Sequence, residues 1–92
     1  MKVLIVEDSP ELAKSLRLFL ELENNHVEVA CDLAIAAHYS SVTHFDIILL
    51  DIMLPDGDGR DFLRTIRSKN NKTPVIVMTA RSEISDRIDL LD

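Results

Sequence analysis

Several residue types that would point to particular classes of protein are scarce in this sequence. The chain of 92 residues has no Trp, and aromatic residues make up only 4% of it. The core must therefore be built from Val, Ile, Leu and Ala. There is one cysteine, Cys31, which excludes an intrachain disulfide. We expect Cys31 to be a small buried residue at the end of a strand, as free cysteines commonly are.

Positive charge is also in short supply. The chain has 10 Lys and Arg against 16 Asp and Glu, which leaves a formal net charge of -6. Proteins that bind nucleic acids contact the phosphates with clusters of Lys and Arg. We therefore do not expect this segment to bind DNA, and any DNA contact would come from another domain.

Long apolar runs are missing as well. No stretch approaches the ~20 apolar residues that are needed to span a bilayer. Met1 and Lys2 lead directly into a short apolar run that ends at Glu7, which is not the pattern of a signal peptide. The sequence predicts a cytoplasmic protein without a membrane segment, and its length predicts one domain over residues 1–92.

Short apolar runs separated by helical patterns define the fold class. Three of the four runs are nearly continuous, which is typical of strands buried on both faces of a parallel sheet. The order β-α-β-α-β-α-β-α predicts an α/β fold with right-handed crossovers and helices on both faces. The predicted strands are Val3–Val6, Val27–Cys31, Ile47–Leu50 and Val75–Met78.

The helices can be placed from their apolar faces and their caps. Each apolar face repeats at helical spacing, and a Ser or Asp that can accept backbone N–H groups precedes each helix. Pro10 suits the first position of the first helix. The faces are Leu12, Leu16, Phe19 and Leu20 after Ser9; the Ala-rich segment Leu33–Ser41 after Asp32; Phe62, Leu63 and Ile66 from near Asp58; and Ile84, Ile88 and Leu91 after Ser82.

Acidic and hydroxyl residues follow three of the predicted strands. Glu7 and Asp8 follow the first, Asp51 follows the third, and Thr79 and Ala80 follow the fourth. Ligands of open parallel sheets bind beyond the carboxyl ends of the strands. Three acids at one edge repel each other unless a cation lies among them, and carboxylate oxygens suit Mg²⁺. Asp51 could then attack phosphorus and form an acyl phosphate.

Three separated motifs, in this order, closely resemble the receiver domains of two-component response regulators. They are Glu7-Asp8, the segment Asp51-Ile52-Met53-Leu54-Pro55-Asp56-Gly57-Asp58-Gly59, and Thr79-Ala80-Arg81. The resemblance covers the whole chain. It implies a flavodoxin-like, doubly wound parallel sheet with strand order 2-1-3-4-5.

The resemblance also implies roles for the residues at the predicted edge. Asp51 is the phosphoacceptor and a ligand of Mg²⁺, and Asp8 holds the metal directly. Glu7 binds it through water, and the backbone carbonyl of Met53 completes the protein ligands. No other cofactor is implied.

The phosphoryl group has its own expected contacts. Thr79 is implied as the switch hydroxyl that moves toward the phosphate, and the backbone N–H of Ala80 donates to it. The side chain of Ala80 is small, so the loop can close over the group. The negative charge of the transferred group requires a positive charge nearby, and no Lys in the chain follows a predicted strand to supply it.

The function implied is a phosphorelay switch. A partner sensor histidine kinase transfers a phosphoryl group to Asp51, and the receiver changes conformation to control an output. The residues after the fourth strand are most similar to the subfamily that controls transcription through a winged-helix DNA-binding domain, here outside the chain. Such a receiver is a self-phosphorylating acceptor, with slow autodephosphorylation, and not an enzyme in the usual sense.

The sequence departs from the family pattern at its end. The fifth strand, its aromatic switch residue, the Lys-Pro pair and the fifth helix are not present, which indicates a receiver truncated at its C-terminus. The apolar last strand would then be an open edge, so we expect a homodimer or a strand-exchanged oligomer. The alternative function is a receiver-like dimerisation module that cannot be phosphorylated. A nucleotide- or flavin-binding module is disfavoured because no Gly-rich loop follows the first strand.

Other polar clusters have simpler interpretations. The acidic segment before the third helix lacks the spacing of an EF-hand, which would need an acid at Leu54 and a Glu at Thr65. We interpret it as a tight turn and a helix cap at Asp58, with Gly57 and Gly59 serving positive φ or close approach. We expect three histidines, His26, His38 and His44, to be solvent-exposed or half-buried. A solvent-exposed face is expected for the basic stripe on the third helix, Arg60, Arg64 and Arg67.

Overall fold

The computed structural model describes residues 1–78 of the chain. The strands and helices within this part alternate as predicted, and the predicted ends agree with the observed ends to within one residue. A short hairpin, β4–β5, had not been predicted, and the fourth predicted helix lies outside the described residues. The elements are β1 Lys2–Val6, α1 Pro10–Leu22, β2 His26–Ala30, α2 Leu33–Val42, β3 Ile47–Asp51, β4 Met53–Leu54, β5 Gly57–Asp58, α3 Gly59–Ser68 and β6 Val75–Met78.

The four longer strands form one parallel sheet in the order β2-β1-β3-β6. Val3 pairs with Val27 on one side and with Ile47 on the other, and Ile48 pairs with Val75. This confirms the expected order 2-1-3-4 of a flavodoxin-like sheet. It also makes β1 and β3 central neighbours, so the residues that follow them meet at one edge.

Each face of the sheet is covered by different helices, which confirms the doubly wound arrangement. Alternate residues of each strand point to opposite faces. Leu16 and Leu20 of α1 pack over Val3, Ile5 and Val27 on one face. On the other face, Ala36 of α2 and residues of α3 pack on the opposite set of strand residues, namely Leu4, Val6, Ala30, Ile48 and Leu50 with Phe62 and Ile66. Each fully buried Leu or Ile contributes roughly 1.5–3 kcal/mol.

The caps predicted for the first three helices are confirmed, whereas Ser82, the cap predicted for the fourth helix, lies outside the described residues. The Ser9 hydroxyl accepts the N–H of Leu12 at 3.4 Å, and Pro10 is the first residue of α1. Asp32 accepts from the N–H of Ile35 at 2.8 Å. Asp58 caps α3, and its ion pair with Arg60 holds the pKa of this carboxyl below its usual value. These contacts satisfy N–H groups that would otherwise lack a partner at the helix ends.

Two predicted positions were wrong. Phe19 was expected on the apolar face of α1 but is 65% exposed. The helix is rotated so that Ala13, on the opposite margin of the apolar stripe, meets the sheet and is only 5% exposed. Cys31 was expected to be buried but is exposed, because it follows the outer strand β2.

The expected solvent-exposed residues are confirmed. The three histidines and the three arginines of α3 are all exposed. Among the residues described, β6 is the other outer strand, and its Ile76 is 52% exposed. None of the helices within residues 1–78 is long and apolar enough to cross a membrane.

Candidate functional site

Three acids meet where β1 and β3 end. Glu7 and Asp8 follow β1, Asp51 is the last residue of β3, and these strands are paired up to Val6 and Leu50. One carboxylate oxygen from each acid lies within 4.8 Å of the other two. Glu7 and Asp51 are buried, whereas Asp8 is exposed. The cluster therefore concentrates acidic groups at this edge of the sheet and reaches solvent through Asp8.

Glu7 has an oxygen with no protein donor. Its Oε2 accepts the backbone N–H of Ser9 at 3.0 Å, whereas its buried Oε1 has no hydrogen-bond partner among the described residues. Burial raises the pKa of Glu7, and the nearby charge of Asp51 raises it further. A buried carboxylate oxygen without a donor is costly by itself and is accounted for if a cation binds there.

Asp51 is held by the chain that follows it. Its Oδ1 accepts the backbone N–H of Met53 at 3.1 Å, which fixes the rotation of the carboxylate. The N–H of Gly59 donates to the carbonyl oxygen of Ile52 at 2.8 Å, so the start of α3 lies against the end of β3. A Cβ atom at Gly59 would lie 2.5 Å from the carbonyl oxygen of Asp51. The close approach expected for this glycine is confirmed.

The hairpin β4–β5 lies directly beyond Asp51. Met53 pairs with Asp58 and Leu54 with Gly57, so Pro55 and Asp56 form the turn. Gly57 has a φ of 150°, which confirms the expected positive φ. The hairpin was missed because its strands have two residues each and show no periodicity. Pro, Asp and Gly in succession are typical turn residues and were the available signal.

The structure thus brings together the three acids that were predicted to bind metal. The roles predicted for Met53, Thr79 and Ala80 stay predictions. Met53 lies two residues after Asp51, with its side chain exposed and its N–H directed to Asp51. Thr79 and Ala80 lie outside the described residues. Three carboxylates and an available buried oxygen fit a hard divalent cation such as Mg²⁺, which takes a few oxygen ligands and keeps several waters.

Substituting Glu7 by Gln is expected to stabilise the metal-free protein by about 1 kcal/mol at neutral pH. Gln keeps an oxygen for the Ser9 N–H and removes the charge that burial and Asp51 disfavour. Because the folded pKa is raised, the penalty is fully present above that pKa and disappears below the ordinary value of 4.5. Thermal unfolding with a chelator should show the gain at neutral pH and lose it in acid. A variant that is no more stable than the parent at neutral pH would contradict this.

Comparison with known proteins identifies close relatives. A family profile described as "Response regulator receiver domain" matches residues 3–92. The response regulator ArlR of Staphylococcus saprophyticus is 41% identical over 91 residues, which cover 99% of this chain and 41% of that protein. The transcriptional regulatory protein BasR of Escherichia coli is 37% identical over 92 residues, which cover 100% of this chain and 41% of BasR. The chain thus spans about two fifths of the length of these relatives.

A solved structure also matches closely. The response regulator TrrA from Thermotoga maritima, in complex with Mg(2+)-BeF, gives a TM-score of 0.85 at 28% identity. The match covers 97% of this chain and 76% of that one. The likeness therefore extends over the sheet, its helices and the edge where the three acids meet.

Proposed function

This chain belongs to the response regulator receiver domain family, and on that premise we propose that it is a Mg²⁺-dependent phosphoacceptor with Asp51 as the phosphorylated residue. The observation that carries the proposal is the convergence of Glu7, Asp8 and Asp51 within 4.8 Å. The buried Oε1 of Glu7, which has no hydrogen-bond partner within residues 1–78, supports a cation at the same place.

Four residues would bind the metal, and one hydrogen bond orients Asp51 for phosphoryl transfer. Asp8 and Asp51 would hold Mg²⁺ directly, Glu7 through water, and Met53 through its backbone carbonyl. The metal, when bound, neutralises the acids and the oxygens of the incoming phosphate. The hydrogen bond from Met53 N–H to Asp51 Oδ1 orients the acceptor carboxylate.

Transfer from a histidine kinase is a single displacement. An oxygen of Asp51 bonds to phosphorus as the P–N bond of the donor's phosphohistidine breaks. The electron pair leaves with the imidazole nitrogen, which takes up a proton from solvent. Thr79 and Ala80, which lie outside the described residues, would donate their hydroxyl and backbone N–H to the phosphoryl oxygens. Water attack on the acyl phosphate would slowly reverse the modification.

The partners follow from the same assignment. A sensor histidine kinase would supply the phosphoryl group, and the output would be transcription through a DNA-binding domain outside this chain. BasR, with which the chain shares 37% identity, is named a transcriptional regulatory protein, and this supports the output. A homodimer or a strand-exchanged oligomer would cover Ile76 on β6, which is 52% exposed.

Intact-mass spectrometry tests the acceptor directly. After incubation with Mg²⁺ and a small acyl phosphate donor, the protein should gain the mass of one phosphoryl group. Asp51→Asn should abolish the gain completely, because an amide oxygen is not a nucleophile of this type. Asp46→Asn is the matched control, because Asp46 is an exposed acid that immediately precedes β3, whereas Asp51 is the last residue of that strand. A gain that persists in Asp51→Asn, or no gain in the parent protein, would refute the proposal.

A further inference from the structure

The amino end of α2 is capped by a residue that is distant in sequence. Asp56 Oδ1 accepts the N–H of Leu33 at 2.8 Å, and its Oδ2 accepts the N–H of Ala34 at 3.1 Å. Asp32, the local cap, accepts the N–H of Ile35 at 2.8 Å. Of the first three N–H groups of the helix, two are therefore satisfied by one carboxylate from the hairpin.

The carboxylate of Asp56 is suited to this position electrostatically. An anion is favoured at a helix N-terminus, where the backbone dipoles leave positive charge. The N–H groups of Leu33 and Ala34 lower the pKa of Asp56, so it is ionised at neutral pH. Both of its oxygens act as acceptors, which a carboxylate can do and an amide cannot.

Packing accompanies these hydrogen bonds. Leu33 of α2 and Leu54 of β4 both pack against the same core cluster. A Cβ at Gly57, the residue after Asp56, would lie 3.2 Å from Cδ1 of Leu33. The turn of the hairpin therefore rests on the first residue of α2.

The other end of the hairpin lies at the acidic cluster. Met53 donates its N–H to Asp51 and pairs with Asp58, the cap of α3. The segment that carries Met53 is thus held by β3, by α3 and, through Asp56, by α2. Among the described residues, the contacts of Asp56 tie the turn of this hairpin to α2 by hydrogen bonds.

We propose that Asp56 is a positioning residue for the Mg²⁺ site, which fixes the Met53 segment by accepting the N–H groups of Leu33 and Ala34. The inference rests on the proposed function, because it concerns the same metal site. It makes metal binding and the amino end of α2 interdependent. Thermodynamic linkage is reciprocal, so if the Asp56 contacts strengthen Mg²⁺ binding, Mg²⁺ binding must strengthen these contacts by the same factor. Mg²⁺ should therefore slow hydrogen exchange at the Leu33 and Ala34 amides.

The test uses amide NMR of the protein titrated with MgCl₂. Asp56→Ala should weaken Mg²⁺ binding by about tenfold, at the low end of the range for residues that support metal ligands indirectly. Asp56→Asn should give a smaller loss, since one acceptor oxygen remains. In the metal-free protein, the Leu33 and Ala34 amides should exchange faster in both variants, and this readout does not depend on activity.

Asp32→Ala is the matched control. The substitution removes a carboxylate cap from the same end of the same helix, and Asp32 makes no described contact with the hairpin. We expect it to change the Mg²⁺ affinity by less than about twofold, because Asp32 and the Mg²⁺ site share no contacting residue. Equal losses in Asp32→Ala and Asp56→Ala would overturn the proposal, since helix stability alone would explain them.

The outcomes also separate this proposal from the proposed function. If the parent protein binds Mg²⁺ and Asp56→Ala binds it equally well, the role of Asp56 is refuted and the phosphoacceptor site stands. If the parent protein shows no saturable shift at Asp51 and Met53, both are refuted. Should Asp56→Ala fail to fold, Asp56→Asn decides, and unchanged amide exchange and affinity in that variant would refute the role.

Discussion

Gly59→Ala is expected to lower the free energy of unfolding by about 3 kcal/mol. The new Cβ would lie 2.5 Å from the carbonyl oxygen of Asp51 and 2.9 Å from Cα of Ile52. Both are backbone atoms, and the Gly59 N–H donates to the Ile52 carbonyl at 2.8 Å. The start of α3 cannot move away without losing that hydrogen bond, so the strain reaches the backbone of Asp51.

Urea denaturation followed by circular dichroism measures this effect, with Gly57→Ala for comparison. Gly57 has a φ of 150°, but a Cβ there would meet only the end of the Leu33 side chain, at 3.2 Å. Its cost should be smaller, about 1–2 kcal/mol. Finding Gly59→Ala as stable as the parent, or more stable than Gly57→Ala, would show that α3 can shift freely against β3.

Asp8→Asn is expected to weaken Mg²⁺ binding by about 100-fold and to reduce Mg²⁺-dependent phosphorylation accordingly. Asp8 is the exposed member of the three acids, so its carboxylate is the one that solvent and an incoming cation reach first. An amide oxygen at this position keeps the shape but lacks the charge that a hard cation requires. Because the side chain is exposed, folding should be little changed.

Titration of the purified variant with MgCl₂ measures the affinity, and Glu11→Gln provides the control. Glu11 is an exposed acid in the first turn of α1, so its substitution removes the same unit of charge close to the cluster. It should leave the affinity within about twofold of the parent, because exposed charges are screened by solvent and salt. Equal losses in both variants would indicate general electrostatic attraction and exclude a defined ligand role for Asp8.

The sheet and the acidic cluster could be predicted because they depend on simple patterns. Continuous apolar runs such as Ile47–Leu50 are typical of buried parallel strands. The ends of neighbouring parallel strands meet at one edge, and this rule predicts that Glu7, Asp8 and Asp51 lie together. Caps such as Asp58 have a local signature, because the hydrogen bond joins residues close in sequence.

The features that were missed depend on tertiary packing. The hairpin strands are too short to show a period, and the bonds from Leu33 and Ala34 to Asp56 cross more than 20 residues. The exposure of Phe19 reflects a rotation of α1 that its own apolar pattern does not determine. The role of Met53 as a metal ligand still rests on the family resemblance.

The contact between Asp56 and α2 has a consequence for how the chain acquires its structure during synthesis. Residues 33 and 34 leave the ribosome more than 20 residues ahead of their acceptor. Until Asp56 emerges, the bond from Ile35 to Asp32 is the one side-chain cap described for the amino end of this helix that can form. We therefore expect the first turn of α2 and the loop beside Asp51 to become ordered together, as a late and nonlocal step.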